Sequence, residues 1–176
     1  NYVAVTAYDV DSGAPPINIP MGPSMNIVAQ EDGTTVMMRP KSAVAGGGGD
    51  PTATANGTWT MMLNKGQYAQ ITQNDILSGS PVTSDKPIGV FGGHQIMSID
   101  RCCGDHGEQM LTPVSALGSE YVDVRYRNRY DGIEETPPWR IIGAVDGQPI
   151  TWAHYTPSGA PTTLSLGQVT EFRSPG

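Results

Sequence analysis

Two stretches of the sequence share an order of features: NIVAQEDGTTV at residues 26–36 and RIIGAVDGQPI at residues 140–150. Each is an apolar run, an Asp-Gly turn and a second run, which predicts two β-strands joined as a hairpin. Each is followed by a Leu-x-x-Gly-Gln element, LNKGQ at residues 63–67 and LSLGQ at residues 164–168. Because order and chemistry both recur, the sequence predicts two related antiparallel β units of about four strands each.

The repeat predicts one β-rich module over residues 1–176, with copies at about 1–72 and 119–176 that are joined by residues 73–118. Each copy is expected to begin with a strand that opens Tyr-Val, at Tyr2 and at Tyr121. A four-stranded unit cannot bury both faces of its own sheet. We therefore expect an all-β fold in which the two units pack together as a sandwich-like body with long loops.

The composition agrees with an all-β fold. The chain has 176 residues, of which 22 are Gly and 15 are Pro, about a fifth of the total. That share is too high for a helical protein, and no segment has the apolar spacing of a long helix. Turns between many short strands are the expected place for these residues.

The charge and hydropathy exclude two classes of function. The net charge is −7, with 17 acidic against 10 basic residues, so the basic surface of a nucleic-acid-binding protein is missing. No apolar run approaches the ~18–20 residues that span a bilayer. The first residues, NYVAVTAY, alternate like a strand and do not resemble a signal peptide.

Three long segments are expected to be loops that present a functional surface: residues 12–24, 43–57 and 100–118. The second, which contains four consecutive glycines, has the composition of a flexible linker. The third is either a loop or a short helix around residues 109–117. Residues 121–130 alternate instead and predict a strand, whose arginines either face solvent or form an anion or partner site.

The densest polar cluster, DRCCGDHGEQ at residues 100–109, suggests a metal site. Two thiols, an imidazole and one further imidazole or carboxylate form a ligand set that zinc accepts. Structural zinc sites usually separate their paired cysteines by two to four residues, so a polar loop with packed thiols is the competing interpretation. The candidate ligands are His94, Cys102, Cys103, Asp105 and His106.

The adjacent cysteines leave their redox state open. Neighbouring Cα atoms lie ~3.8 Å apart, below the usual ~4.4–6.8 Å of a disulfide, so a bond between Cys102 and Cys103 would be strained. The alternatives are free thiols, an intermolecular disulfide, a metal site, or a reactive thioester between Cys103 and Gln109. A metal-binding or reactive-thiol protein is therefore the alternative to a scaffold.

Asp9 and Asp11 offer alternating oxygens that suit calcium, but the third acid and the closing Glu of a calcium loop are missing. An ordinary acidic turn is the competing interpretation. No cofactor is expected, with zinc and calcium as the two ions to consider. No nucleophile elbow or phosphate loop is present, so the chain is not expected to be an enzyme.

Methionine outnumbers phenylalanine by eight to two, and Met residues are adaptable core fillers. Two pairs, Met37 with Met38 and Met61 with Met62, fall within predicted strands. Alternation places one member of each pair inside and the other outside, and the outer ones are candidates for a partner interface.

The succession of motifs resembles a known family. IVAQEDGTTV, LNKGQYAQIT, DILSGSPVTSDKPIGVFGGH, a Cys-containing segment that ends EQM, PVSALGSEYVDVRYRNR and PPWRIIGAVDG follow one another as in the IgG Fc-binding-protein N-terminal domain family, in its bacterial form. The resemblance runs over nearly the whole chain. It implies a secreted or cell-surface module of a larger protein, with a structural or adhesive role.

The function expected from these observations is a non-enzymatic scaffold that presents loops or strand edges. The expected partners are a protein surface, a glycan surface or a second copy of the chain. Nucleic acid and a membrane span are not expected.

Overall fold

The computed structural model describes residues 1–8, 22–99 and 104–175. The chain forms two compact units, Asn1–Ser115 (unit 1) and Ala116–Gly176 (unit 2), so that residues 73–115 belong to unit 1. The described residues contain twelve β-strands, one 3-10 turn and no α-helix, which confirms the all-β prediction. None of the described segments is a helix with the length and apolar character needed to cross a membrane.

Unit 1 contains two four-stranded antiparallel sheets. Sheet I has the order β1-β6-β3-β4, and sheet II has the order β5-β2-β7-β8. The strands are β1 Tyr2–Val3, β2 Pro23–Ala29, β3 Thr34–Met38, β4 Trp59–Leu63, β5 Tyr68–Thr72, β6 Pro81–Ser84, β7 Ile88–Met97 and β8 Asp105–Met110, followed by a 3-10 turn at Val114–Ala116.

One core fills the space between the sheets of unit 1. Period-2 alternation in β2 places Met25 and Ile27 inside, and the facing strands of sheet I contribute Met38 and Trp59. All four side chains are at most 2% exposed. Burial of a large apolar side chain is worth ~1.5–3 kcal/mol, so this cluster is the main source of stability in unit 1. The predicted packing of antiparallel sheets is confirmed, and both sheets lie within unit 1.

The tight turns of unit 1 connect different sheets and do not close hairpins. The Asp32-Gly33 turn leads from β2 in sheet II to β3 in sheet I, and the turn at residues 64–66 leads from β4 in sheet I back to β5 in sheet II. The hairpin predicted at Asp32-Gly33 is therefore wrong, and the turn at residues 64–66 closes no hairpin either. The glycines have the expected left-handed backbone, with φ of +62° at Gly33 and +77° at Gly66, but this conformation does not determine which sheet receives the next strand.

Unit 2 contains two two-stranded sheets, and their pairings correspond to two strand pairs of unit 1. Its strands are β9 Pro138–Ile142, β10 Gln148–Pro149, β11 Thr163–Leu164 and β12 Val169–Arg173. β9 pairs with β12 and β10 with β11, as β2 pairs with β5 and β3 with β4. Its turns at residues 143–147 and 165–168 again join strands that do not pair with each other.

Two loops of unit 1 differ from the sequence expectation. Residues 43–57 form a folded excursion in which Val44 pairs with Ala53 and is buried in the core, so this segment is not a flexible linker. Four successive left-handed glycines, residues 46–49, turn the chain at its tip. In the segment 100–118, β8 replaces the predicted loop or helix at Asp105–Met110, and a loop with a 3-10 turn at Val114–Ala116 follows it.

Residues 121–130 in unit 2 form no strand, although they alternate. The segment is exposed, with Val122 at 87% and Val124 at 81%. The strand predicted at residues 121–130 is therefore wrong, since the described part of unit 2 contains no strand that pairs with them.

Candidate binding surface

The outer face of sheet II has apolar residues where an antiparallel sheet usually meets water. In β2, Val28 alternates with the buried Ile27 and Ala29 and points away from the core. The registers place Tyr68 of β5 opposite Val28 and Phe91 of β7 beside Met110 of β8. Apolar side chains from four adjacent strands therefore lie on one face.

Gly89 shows that these side chains form a continuous surface. A Cβ added to this residue would lie 3.1 Å from Val28 Cγ1, 3.4 Å from Phe91 Cε2 and 4.0 Å from Met110 Cε. Side chains of three strands thus converge above a glycine of β7. We call the set Val28, Tyr68, Gly89, Phe91 and Met110 the apolar strip.

The apolar strip combines fixed and accessible side chains. Val28 and Phe91 are half-buried, so neighbouring side chains hold them in place. Tyr68 is 67% exposed and Met110 is 53% exposed. An anchored aromatic centre with accessible flanks is typical of a protein contact surface, because such surfaces are enriched in aromatic residues and Met.

Polar groups border the strip on the same face. Asn26 Nδ2 donates to Glu108 Oε1 at 2.7 Å across β7, and His106 Nε2 lies 3.9 Å from the other carboxylate oxygen of Glu108. The exposed Gln70 lies opposite Asn26 on β5. The carboxylate gives this border a negative charge, in keeping with the acidic sequence.

The outer face of sheet I has a second surface of different character. Met37 is 47% exposed while Met38 is 2% exposed, and Met62 is 70% exposed while Met61 is half-buried. Each predicted Met pair therefore has its inner and outer member. Beside Met37, a shallow groove of ≈ 270 Å³ is lined by Arg39, Asn56 and Pro81 among others.

The structure separates the described members of the predicted metal set. His94 is fully buried on the inner face of β7, where its Nδ1 accepts a hydrogen bond from the Ile96 N–H at 3.0 Å. His106 shares the outer face with Glu108. Because the side chains of a strand pair alternate between faces, His94 and His106 lie on opposite sides of sheet II.

Asp105 is exposed and accepts a hydrogen bond from the backbone N–H of His106 at 2.8 Å. Cys102 and Cys103, together with the calcium candidates Asp9 and Asp11, lie outside the described residues. Within the described parts of the chain, no three His, Cys, Asp or Glu side chains are grouped as metal ligands. The zinc and calcium sites stay predictions from the sequence.

Two of the arginines in residues 121–130 are engaged within unit 2. Arg125 Nη2 lies 3.0 Å from Glu134 Oε1, and Arg129 Nη2 lies 2.6 Å from Glu135 Oε1. Glu135 is only 9% exposed, whereas the side chain of Glu134 is 60% exposed. These ion pairs hold the loop together and do not form a preassembled anion site.

Sequence reasoning did not find the apolar strip. The sequence of β8, DHGEQM, is too polar to predict a strand. This strand nevertheless contributes Met110 to the apolar strip and Glu108 to its polar border. Val28 and Phe91 could have indicated the strip from the sequence. Both are apolar residues at outward positions of strands whose inward positions are also apolar.

The comparisons with known proteins agree with one another. The family model of the IgGFc binding protein matches residues 1–176. The human IgGFc-binding protein is 32% identical over 106 residues, which is 59% of this chain and 2% of the human protein. No solved structure matches the chain. The relative is human, so the expected bacterial origin receives no support.

Proposed function

Since the chain belongs to the IgGFc binding protein family, we propose that it is an extracellular, non-enzymatic module that binds a protein partner through the apolar strip of sheet II. The observation that supports this site best is the convergence of Val28, Phe91 and Met110 above Gly89. It creates an apolar surface on a sheet face that would otherwise be solvated.

The chemistry of the strip favours a protein over a glycan. Phe91 and Met110 offer no hydrogen-bond groups for sugar hydroxyls, whereas aromatic and Met side chains are the residues that protein interfaces enrich. Asn26 and Glu108 bond to each other at the edge of the strip. They form part of the polar rim that surrounds an apolar interface centre.

The partner to test first is the Fc region of IgG, because the name of the human relative points to it. Binding of an Fc fragment to the chain is measured by isothermal titration calorimetry. Truncation of Tyr68 and Met110 to Ala removes the two most accessible side chains of the strip without opening the core. We expect the double variant to bind Fc at least about tenfold more weakly.

The matched control is Met37→Ala with Met62→Ala, two accessible methionines on sheet I. This pair is expected to leave the affinity within about twofold of the wild type. Equal losses in both double variants would show that binding is not confined to the strip. A wild-type chain that does not bind Fc would contradict Fc as the partner.

A further inference from the structure

The most exposed apolar segment of the described chain lies in unit 2 and has no role in the proposed Fc contact. Val122 is 87% exposed and Val124 is 81% exposed, with Tyr121 at 64% and Tyr126 at 44%. Between residues 120 and 128 the chain has neither turn nor bend. Within the described structure, the backbone of residues 121–127 makes no hydrogen bond.

A straight segment with unpaired backbone groups and exposed valines has the properties of an edge strand. The corresponding Tyr-Val segment at the start of unit 1 pairs as a strand: Tyr2 lies opposite Val82, and Val3 opposite Pro81. The pairing continues with the N–H of Ala4, which donates to Ser80 O at 2.8 Å. This type of sequence therefore pairs when a strand is available.

The pattern of residues 121–127 is complementary to itself. If two copies run antiparallel and meet at Val124, Asp123 of each copy faces Arg125 of the other, and Val122 faces Tyr126. The faces agree with strand alternation, since the charged pairs lie on one side and the apolar pairs on the other. The remaining pair on the charged side is Tyr121 with Arg127.

We propose that residues 121–127 form an intermolecular antiparallel strand pair with the same residues of a second copy of this chain. Opposite charges and apolar pairs directly across from each other stabilise such pairing, whereas like charges destabilise it. Because the arrangement is twofold symmetric, the Asp123–Arg125 and Val122–Tyr126 contacts each occur twice. The pairing also supplies hydrogen-bond partners for the backbone groups of both segments.

The position of Arg125 is compatible with this pairing. Its Nη1 donates to Asn128 Oδ1 at 2.8 Å, and its Nη2 contacts Glu134, so the guanidinium is held in place. A guanidinium has five N–H donors, and further donors remain for Asp123 of the second copy. Because the strand pair is short, it is smaller than the interface of a permanent dimer and its association is reversible.

Sedimentation equilibrium over a protein concentration range of about 1–500 µM tests the proposal, and a monomer–dimer equilibrium is expected at these concentrations. Val124→Glu would place two carboxylates opposite each other at the twofold axis. We expect this substitution to weaken dimerisation at least about tenfold. The matched control is Val145→Glu, which changes another exposed valine of unit 2 and is expected to leave the dimer unchanged.

A charge exchange gives a positive readout. Asp123→Arg protein and Arg125→Asp protein each place like charges opposite each other in their own homodimers, but a mixture of the two restores opposite charges at both positions. We expect each variant alone to be monomeric at concentrations where the mixture forms heterodimers. Circular dichroism of each variant checks that the fold is retained, since Arg125 also contacts Glu134.

A wild-type chain that stays monomeric at the highest concentration would overturn the proposal. So would a dimer that survives Val124→Glu, because the contact would then lie elsewhere. The test does not depend on Fc binding: the variant with Tyr68→Ala and Met110→Ala, which tests the apolar strip, is expected to dimerise as the wild type does.

Discussion

Each unit has an Asp-Gly turn and a turn in its Leu-x-x-Gly-Gln element, and the side-chain hydrogen bonds of these turns correspond between the units. In unit 1, Gln67 Oε1 accepts the N–H of Asn64 at 2.7 Å, and in unit 2, Gln168 Oε1 accepts the N–H of Ser165 at 3.0 Å. The glutamine of each Leu-x-x-Gly-Gln element thus closes its own turn. This bond explains why the same glutamine occurs after the glycine in both elements.

An aspartate connects the two turns within each unit. Asp32 Oδ1 accepts the N–H of Lys65 at 3.0 Å, and Asp146 Oδ1 accepts the N–H of Leu166 at 3.0 Å. The donors belong to turns that lie 33 and 20 residues further along the chain. The Asp-Gly motif therefore supplies both the left-handed glycine of one turn and the acceptor that fixes the other.

The two units differ in burial. Leu63 and Leu164 occupy the same register position and are both 2% exposed, but Trp139 and Ile141 are only half-buried, whereas their counterparts in β2 are fully buried. Besides the four strands with counterparts in unit 2, unit 1 has β1, β6, β7 and β8, while unit 2 has four strands among its described residues. The turns thus determine the arrangement of four strands, and the additional strands complete the core.

The largest expected difference between the units is at their tryptophans. Each indole N–H donates to a proline carbonyl, Trp59 to Pro51 at 3.1 Å and Trp152 to Pro161 at 2.8 Å. Trp59 is fully buried and Trp152 is half-buried. We expect Trp59→Ala to lower the free energy of unfolding by about 4 kcal/mol and Trp152→Ala by roughly half as much.

Guanidinium chloride unfolding followed by circular dichroism measures both losses. Because the two indoles make the same kind of hydrogen bond, the difference between the losses reports their packing, which for Trp152 includes an edge-to-face contact with Phe172. Equal losses would mean that the core of unit 2 is as complete as that of unit 1.

The second prediction concerns Gln67 and Gln168, whose side chains close the same turn in the two units. Gln67→Ala and Gln168→Ala each remove the acceptor that closes a turn, and each is expected to cost about 1 kcal/mol. Gln70→Ala is the control, because its side chain is exposed and makes no bond in the described structure. The same denaturation measurement applies, and losses that differ by more than about 0.5 kcal/mol would show that the two turns are not energetically equivalent.

The smallest expected effect is on the thermal stability of unit 1, at Asp50 in the glycine-rich excursion of residues 43–57. Burial raises the pKa of the Asp50 carboxyl, and a hydrogen bond from the backbone N–H of Gln70 on β5 partly opposes this rise. A carboxyl with a raised pKa in the folded state opposes folding when it is ionised, and this penalty disappears as the pH falls through the raised pKa to 3.8, the ordinary value for Asp. Asp50→Asn keeps an acceptor for Gln70 but removes the charge.

We expect Asp50→Asn to have a higher Tm than the wild type at neutral pH and to lose this advantage as the pH is lowered through the raised pKa towards 3.8. The difference between the two proteins cancels the titration of other carboxyls. Thermal unfolding measured from pH 7 to pH 3 follows it. An advantage that grows on acidification would contradict the assigned sign.

Much of the strand content was predictable, because β2, β3, β9 and β12 have apolar alternation bounded by turn residues. The connections were not predictable, since Asp32-Gly33 has the same sequence whether the next strand joins the same sheet or the other one. That choice depends on long-range register. Residues 121–130 show a second limit, because their alternation predicts a strand that the described structure does not form.

The candidate site was less predictable than the fold. The methionines of sheet I could be assigned to inside and outside by alternation alone. The apolar strip could not, because it requires β7 and β8 to be adjacent, and β8 has no apolar pattern. The contacts above Gly89 depend on three strands whose pairing only the structure shows.

The connections between the two sheets also affect how unit 1 folds. Neither tight turn closes a hairpin. The pairs β2 with β5 and β3 with β4 therefore cannot form from strands that a tight turn holds side by side. β2 must find β5 across more than one intervening strand, and β3 must find β4 across the glycine-rich excursion. Chains dominated by such distant pairings fold slowly, in milliseconds to seconds for small β domains. During that interval, the net charge of −7 makes unfolded copies of the chain repel one another, which opposes pairing between strands of different copies.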